Sequence, residues 1–181
     1  MSNQPVNTTY AEALAAFDQA YAAFLVAFGQ APDAALSFVP PGDDYALGIL
    51  PLHLQDPIHD YLALLQRMLK DDFAPFDRSQ DTKYETKTAK RYAYLAEQRP
   101  TGADRVGMME GLASAHQEAQ TQLGALDEAT ATRTAPVIYS TGTAPYPTSA
   151  RAILGWLQDH YQEHAKQTQD MLAQWSAQRH M

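Results

Sequence analysis

Four stretches of this chain carry apolar residues at steps of three and four, and little in it alternates as a half-buried strand would. Each stretch is long enough for an amphipathic helix that has to bury one face. The first runs Tyr10, Leu14, Phe17, Tyr21, Phe24 and Phe28. Thr9-Tyr10-Ala11-Glu12 opens it as a capping box, Gly29 stops it, and its alanines allow a neighbouring helix to approach closely. The second follows the turn Pro40-Pro41-Gly42, with Asp43 or Asp44 as its expected cap, and its stripe is Leu47, Leu50, His53/Leu54, Ile58, Tyr61, Leu65 and Met68. Pro51 and Pro57 predict a bend or a break on both sides of His53.

The third stretch starts behind Thr101-Gly102-Ala103-Asp104 and reads Val106, Met109, Leu112/Ala113, His116, Ala119, Leu123 and Leu126. The fourth, capped by Thr148 or Ser149, reads Ile153, Leu157, His160, His164, Met171 and Trp175, with Leu154, Tyr161 and Leu172 alongside. From Asp71 to Pro100 the pattern is irregular. Pro75 and the run from Asp77 to Thr82 predict a loop, and Lys83 to Gln98 a further helix. In the link from Ala129 to Pro147, residues Pro136 to Tyr139 are expected to be briefly extended. The expected fold is all-α: a four-helix bundle with a long crossover connection between the second and third helices, one domain over residues 1–181.

The last stripe departs from an ordinary core at one point. His160 and His164 lie one turn apart on the apolar side, and buried neutral rings need hydrogen-bond partners. A divalent ion satisfies them, because His-x-x-x-His can bring two ring nitrogens to one metal. The plainer reading is a half-buried pair bonded to water or carbonyls. His53 also lies on its apolar stripe, whereas His59 falls with Gln55 and Gln66 on a wetter face, so His53 is the better third ligand. Three neutral ligands leave a metal with open positions, the pattern of a reactive site that can lower the pKa of a bound water or stabilise a thiolate. His116 faces inward as a fourth ligand, as a partner holding a ligating ring, or as a plain buried histidine, the last being preferred. His180, beside the C-terminal residue, is given no role.

Rival chemistries find less support. His160-Tyr161-Gln162-Glu163-His164 matches the H-x-x-E-H protease pattern, but no glutamate follows it and Asp170 is the only later acid. Glu163 reads as a surface acid, with a general-base role left open. A di-iron centre would need Glu-x-x-His on two helices, and only Asp56-Pro57-Ile58-His59 comes near. Phosphate-binding glycine loops, G-x-S-x-G and a dinucleotide fingerprint are missing. Asp43-Asp44 and Asp71-Asp72 sit at expected helix ends.

The absence of cysteine among 181 residues rules out disulfides, thiolate ligands and a cysteine nucleophile. A net charge of -8 argues against nucleic acid as a partner. Lys83, Lys87, Lys90 and Arg91, interleaved with Glu85, read as a solvated helix face. Apolar runs fall short of the ~20 residues that span a bilayer. No leader opens the sequence, so a cytoplasmic location with no membrane partner is expected.

Two stretches and the histidine pair carry a resemblance. Leu47-Gly48-Ile49-Leu50-Pro51-Leu52-His53-Leu54, then Tyr146-Pro147-Thr148-Ser149-Ala150-Arg151-Ala152-Ile153-Leu154 leading to His160 and His164, resemble the DinB/YfiT-like family of metalloenzymes over Thr9 to about Gln178. The resemblance implies a four-helix bundle with a long crossover, and often a dimer. It implies a three-histidine site (His53, His160, His164) for nickel, zinc or a similar divalent ion. It also implies a small-molecule substrate and thiol-dependent S-transfer or isomerisation with a low-molecular-weight thiol. The prolines flanking His53 are a departure from the family. A metal-dependent hydrolase, or a non-catalytic dimerising or ligand-holding bundle, are the alternatives.

Overall fold

Thr9 accepts from the backbone N–H of Glu12 at 3.2 Å, and the Glu12 carboxylate accepts from the backbone N–H of Thr9 at 2.7 Å. This reciprocal cap starts α1 (Tyr10–Gly29) in the computed structural model, which describes residues 8–79 and 82–179, the side chains of 82–87 aside. His180 and the side chains of Lys83, Glu85 and Lys87 therefore lie outside the described residues. The elements that follow are α2 (Leu50–Lys70), β1 (Phe76–Asp77), α3 (Thr82–Glu97), α4 (Arg105–Gly124), α5 (Glu128–Thr132), β2 (Ala135–Ile138), β3 (Tyr146–Thr148) and α6 (Ala150–Gln178). The protein is mainly helical, with little strand.

The α1 seam packs along α6. Phe17, Phe24 and Phe28 are buried, and so are Ala13, Ala20 and Ala27, which recur every seven residues and leave room for the α6 backbone. α2 packs on both α4 and α6, and α1 also touches α4. One buried cluster joins Leu54 and Leu65 of α2, Leu112 of α4 and Leu154, Leu157 and Tyr161 of α6 to the α1 aromatics. Of the described helices, α1 alone is long and apolar enough by composition to cross a bilayer, at 20 residues and a mean hydropathy of 1.3, which the absence of a long uninterrupted apolar run did not lead us to expect. Its aromatic face is spent on packing against α6.

The second helix starts later than expected. Asp43 and Asp44 are not its cap; a 3-10 turn at Leu47–Ile49 leads directly into Leu50. Pro51 therefore falls in the first turn, where the missing N–H has no partner to lose, and no break occurs there. Pro57 lies inside one continuous helix. The N–H it lacks is the one that would have bonded the carbonyl of His53, four residues back.

Three further differences come from context. Val106 is exposed and Met108 takes the buried place on α4. The stretch expected as a loop includes β1, and α5 forms where only a link was expected. The extended segment around Pro136 is β2, which pairs parallel with β1 and antiparallel with β3. β3 ends at Thr148, and the next residue, Ser149, accepts from the N–H of Ala152 at 3.1 Å to start α6. β3 thus ends one residue before the cap from which α6 starts.

Candidate metal centre

His53 from α2 and His160 and His164 from α6 come together across the α2–α6 contact. The ring of His53 lies 5.2 Å from that of His160 and 4.8 Å from that of His164, and the latter two are 4.4 Å apart. One nitrogen from each ring lies within 4.8 Å of the other two, close enough for the three to hold a metal ion. Movements of under about 1 Å per nitrogen would bring them to the ~2.0–2.1 Å of a metal–imidazole bond. His53 is buried despite the proline on either side of it. Helical periodicity along α2 outweighs the lost hydrogen bond at Pro57, and the ring faces α6 as its stripe predicts.

Three buried side-chain atoms in the described structure have no hydrogen-bond partner: Nδ1 of His53, Nε2 of His160 and Nε2 of His164. Leaving a buried polar atom unpaired costs about 1–3 kcal/mol. Native proteins leave few such atoms, so three of them on three adjacent imidazoles point to one common partner. Divalent metal is the partner whose chemistry suits a donor set of nitrogen lone pairs.

The protonation state of the rings agrees. Burial, with the neighbouring His164 and Arg91, pushes the His53 pKa down to about 4. Burial and the other two imidazoles push His160 down to about 3, and burial also lowers His164. All three are neutral at pH 7, so a metal need not displace a proton from them. An unfolded chain takes up protons on its histidines near pH 6.5, whereas in the folded one His53 and His160 resist until about pH 4 and 3 and His164 is shifted in the same direction. The folded state is therefore free of this proton-linked penalty above pH 6.5 and loses stability as the pH falls towards 4. Thermal melts of metal-free protein between pH 7 and 4 should show a steeper loss for the natural chain than for a His160→Leu variant. Parallel curves would contradict this assignment.

His164 has a fixed tautomer. Gln167 donates its amide N–H to Asp43 Oδ2 at 3.0 Å, a carboxylate that can only accept. The Gln167 carbonyl oxygen therefore faces His164 Nδ1 at 2.6 Å, and that nitrogen must be the donor. Nε2 is left with its lone pair exposed to the site. Asp43, expected as a helix cap, instead anchors this relay. Removing such an outer partner typically costs ~10–100-fold in metal affinity, and Gln167→Ala should do so here without changing the fold. Zinc and nickel titrations by calorimetry check this; unchanged affinity would mean that the relay does not orient His164.

Tyr45 and Tyr92 flank His53 at ring distances of 5.4 and 5.8 Å. Burial raises the pKa of both phenols and keeps them protonated. Arg91 pairs with Asp56 at 2.9 Å. That pairing places Arg91 of the basic run against α2 rather than on a solvated face. Beside His160 a cavity of about 410 Å³ is lined by Asp56, Asp60, Tyr61, Arg91, Tyr92 and Trp156. It gives the histidines an approach for a small molecule. Gln167, Tyr45 and Tyr92 were missed in the sequence, although Gln167, three residues after His164 on the same helix, was detectable by spacing.

His116 is not part of this group. It is buried against Tyr21 and Phe17, with Nε2 3.3 Å from Asp18 Oδ1 and Nδ1 3.3 Å from the hydroxyl of Tyr161. Its ring nitrogens are satisfied, as the plain buried histidine requires. Glu163 is exposed, and its carboxylate approaches His160 Nδ1 only to 3.9 Å. His59 is exposed and lies on the wall of the cavity beside His160, outside the three-histidine group.

No family model matches the chain, and comparison with curated proteins and with solved structures yields no match.

Proposed function

We propose that the protein is a metal-dependent enzyme in which His53, His160 and His164 hold one divalent ion, nickel, zinc or similar, and that it transfers a low-molecular-weight thiol to an electrophile. The observation that carries the metal reading is the convergence of three unpartnered, neutral imidazole nitrogens. Packing of α1, α2, α4 and α6, with α3 in the connection between α2 and α4, supports a four-helix bundle with a long crossover. Thiol transfer rests on the resemblance to DinB/YfiT-like metalloenzymes alone, which is analogy of fold.

A divalent ion at three neutral ligands supplies Lewis acidity, stabilising a thiolate or lowering the pKa of a bound water towards neutrality. The chain's own residues do the rest. The Asp43–Gln167 pair holds His164 in the tautomer that presents Nε2. The rings of Tyr45 and Tyr92 pack beside that of His53 and restrict its rotation. The cavity beside His160 admits the small molecule and orients it against Arg91 and Tyr92.

Elemental analysis of untagged protein tests the metal reading, with about one ion per chain expected. Added zinc or nickel at about a hundredfold excess over Kd should raise the Tm by about 5–10 °C. Metal-free protein whose melting ignores both ions would leave a non-catalytic bundle. Turnover of an electrophile only with added thiol supports transfer, and turnover with water alone supports hydrolysis.

A further inference from the structure

Ala152, Gly155, Trp156 and Asp159 fall at steps of three and four along α6 and share one face. That face lines a second groove of about 790 Å³, whose opposite wall comes from the β2–β3 hairpin and from Tyr61 of α2. The volume lies in the range of about 300–1,000 Å³ usual for small-molecule sites. Tyr61, Tyr139 and Tyr146 surround the indole of Trp156 at 5.4, 6.1 and 6.0 Å, tilted by 40°, 83° and 43°. The three rings meet the indole at different tilts rather than as a flat stack, and all four line the groove.

The groove also has an uncompensated charge. Of its two charged side chains, Arg151 is matched by Glu128 at 3.2 Å, while Asp159 has no hydrogen-bond or ion-pair partner among the described residues. A ring face attracts a cation through its quadrupole, and an unpaired carboxylate adds to that attraction. Trp156 and Tyr61 line both this groove and the smaller cavity that reaches His160. One helical turn, about 6 Å, separates Trp156 from His160.

We infer that this groove is the subsite for an organic ammonium compound, whose cationic head sits among Tyr61, Tyr139, Tyr146 and Trp156 with Asp159 as counter-charge. The rest of the molecule passes Trp156 towards the three histidines. Binding of the cation stands on the groove alone; the direction in which the molecule lies rests on the histidines being the reactive centre.

Gly155 offers a clean test. A Cβ there would meet nothing within 4 Å, and glycine inside a helix is otherwise unfavourable. Gly155→Leu should therefore fill groove space without disturbing the packing. Calorimetry on the metal-free 181-residue chain compares choline with its uncharged isostere 3,3-dimethylbutan-1-ol. The expected result is saturable one-to-one choline binding, about tenfold tighter than the alcohol, the ratio a partly desolvated cation–π contact supports. Asp159→Asn should weaken choline by about three- to fivefold and leave the alcohol unchanged. Gly155→Leu should abolish binding with a melting temperature no lower than that of the natural chain.

Equal affinity for choline and the alcohol would overturn the inference in favour of a plain apolar groove. So would absent choline binding, or choline binding that survives Gly155→Leu. The two readings fail separately: protein that binds zinc but not choline sinks the subsite, and protein that binds choline but no metal upholds the subsite and sinks the metal centre.

Discussion

Replacing His160 with alanine is expected to leave a folded protein that no longer retains a stoichiometric divalent ion. Loss of a ligand should cost more than the ~10–100-fold that follows loss of an outer partner. Truncation also removes Nε2, an atom that is buried and unsatisfied in the metal-free chain. Deleting such an atom relieves a desolvation cost, so the metal-free variant should melt no lower than the natural protein. The two effects run in opposite directions, and that contrast is what separates a ligand from a core residue. Metal content by elemental analysis, and melts with and without zinc or nickel, measure both. An ion retained at full stoichiometry by the variant would remove His160 from the ligand set. A large fall in metal-free stability would make the ring a packing residue.

Phe17→Ala should do the reverse, destabilising the fold by about 3–5 kcal/mol. Phe17 is fully buried, with ring centroids of His116 at 4.5 Å and Tyr161 at 5.6 Å. Its loss opens a cavity beside the hydrogen bond from Tyr161 to His116. Set against a typical total of ~5–15 kcal/mol, that is a large share, equivalent to a fall in Tm of about 6–20 °C. Urea unfolding gives the free energy directly. A loss below about 1 kcal/mol would show that the α1–α6 seam is not where the stability lies. Metal stoichiometry of the surviving folded fraction should be unaffected, because the Phe17 ring packs on His116 and Tyr161 and not on the three ligands.

Much of this was legible in the chain itself. The capping boxes at Thr9 and Thr101 and the Ser149 cap appear where local chemistry places them, since a cap involves residues only three apart. The aromatic seam of α1 was readable because a helix repeats on a short, fixed period. Local rules failed where the decision lay elsewhere. Val106 continues the α4 stripe by spacing, yet nothing packs over its position and it is exposed. Pro51 looked like a breaker until the helix start shifted to Leu50 and made it a first-turn proline. The β1–β2 pairing joins Phe76 to Val137 across the chain, and no window of neighbouring residues contains that information.

The sequence by itself determined that His160 and His164 share a helix face and that His53 lies on the apolar stripe of another helix, because helical geometry converts spacing into direction. Only the tertiary structure decided that the two faces meet. It also brought Asp43, which is 124 residues from Gln167 in sequence, to the end of the relay that sets the tautomer of His164. Periodicity is a property of one element. The approach of two elements depends on the packing of α2 against α6, so distances between the rings had to come from the folded chain.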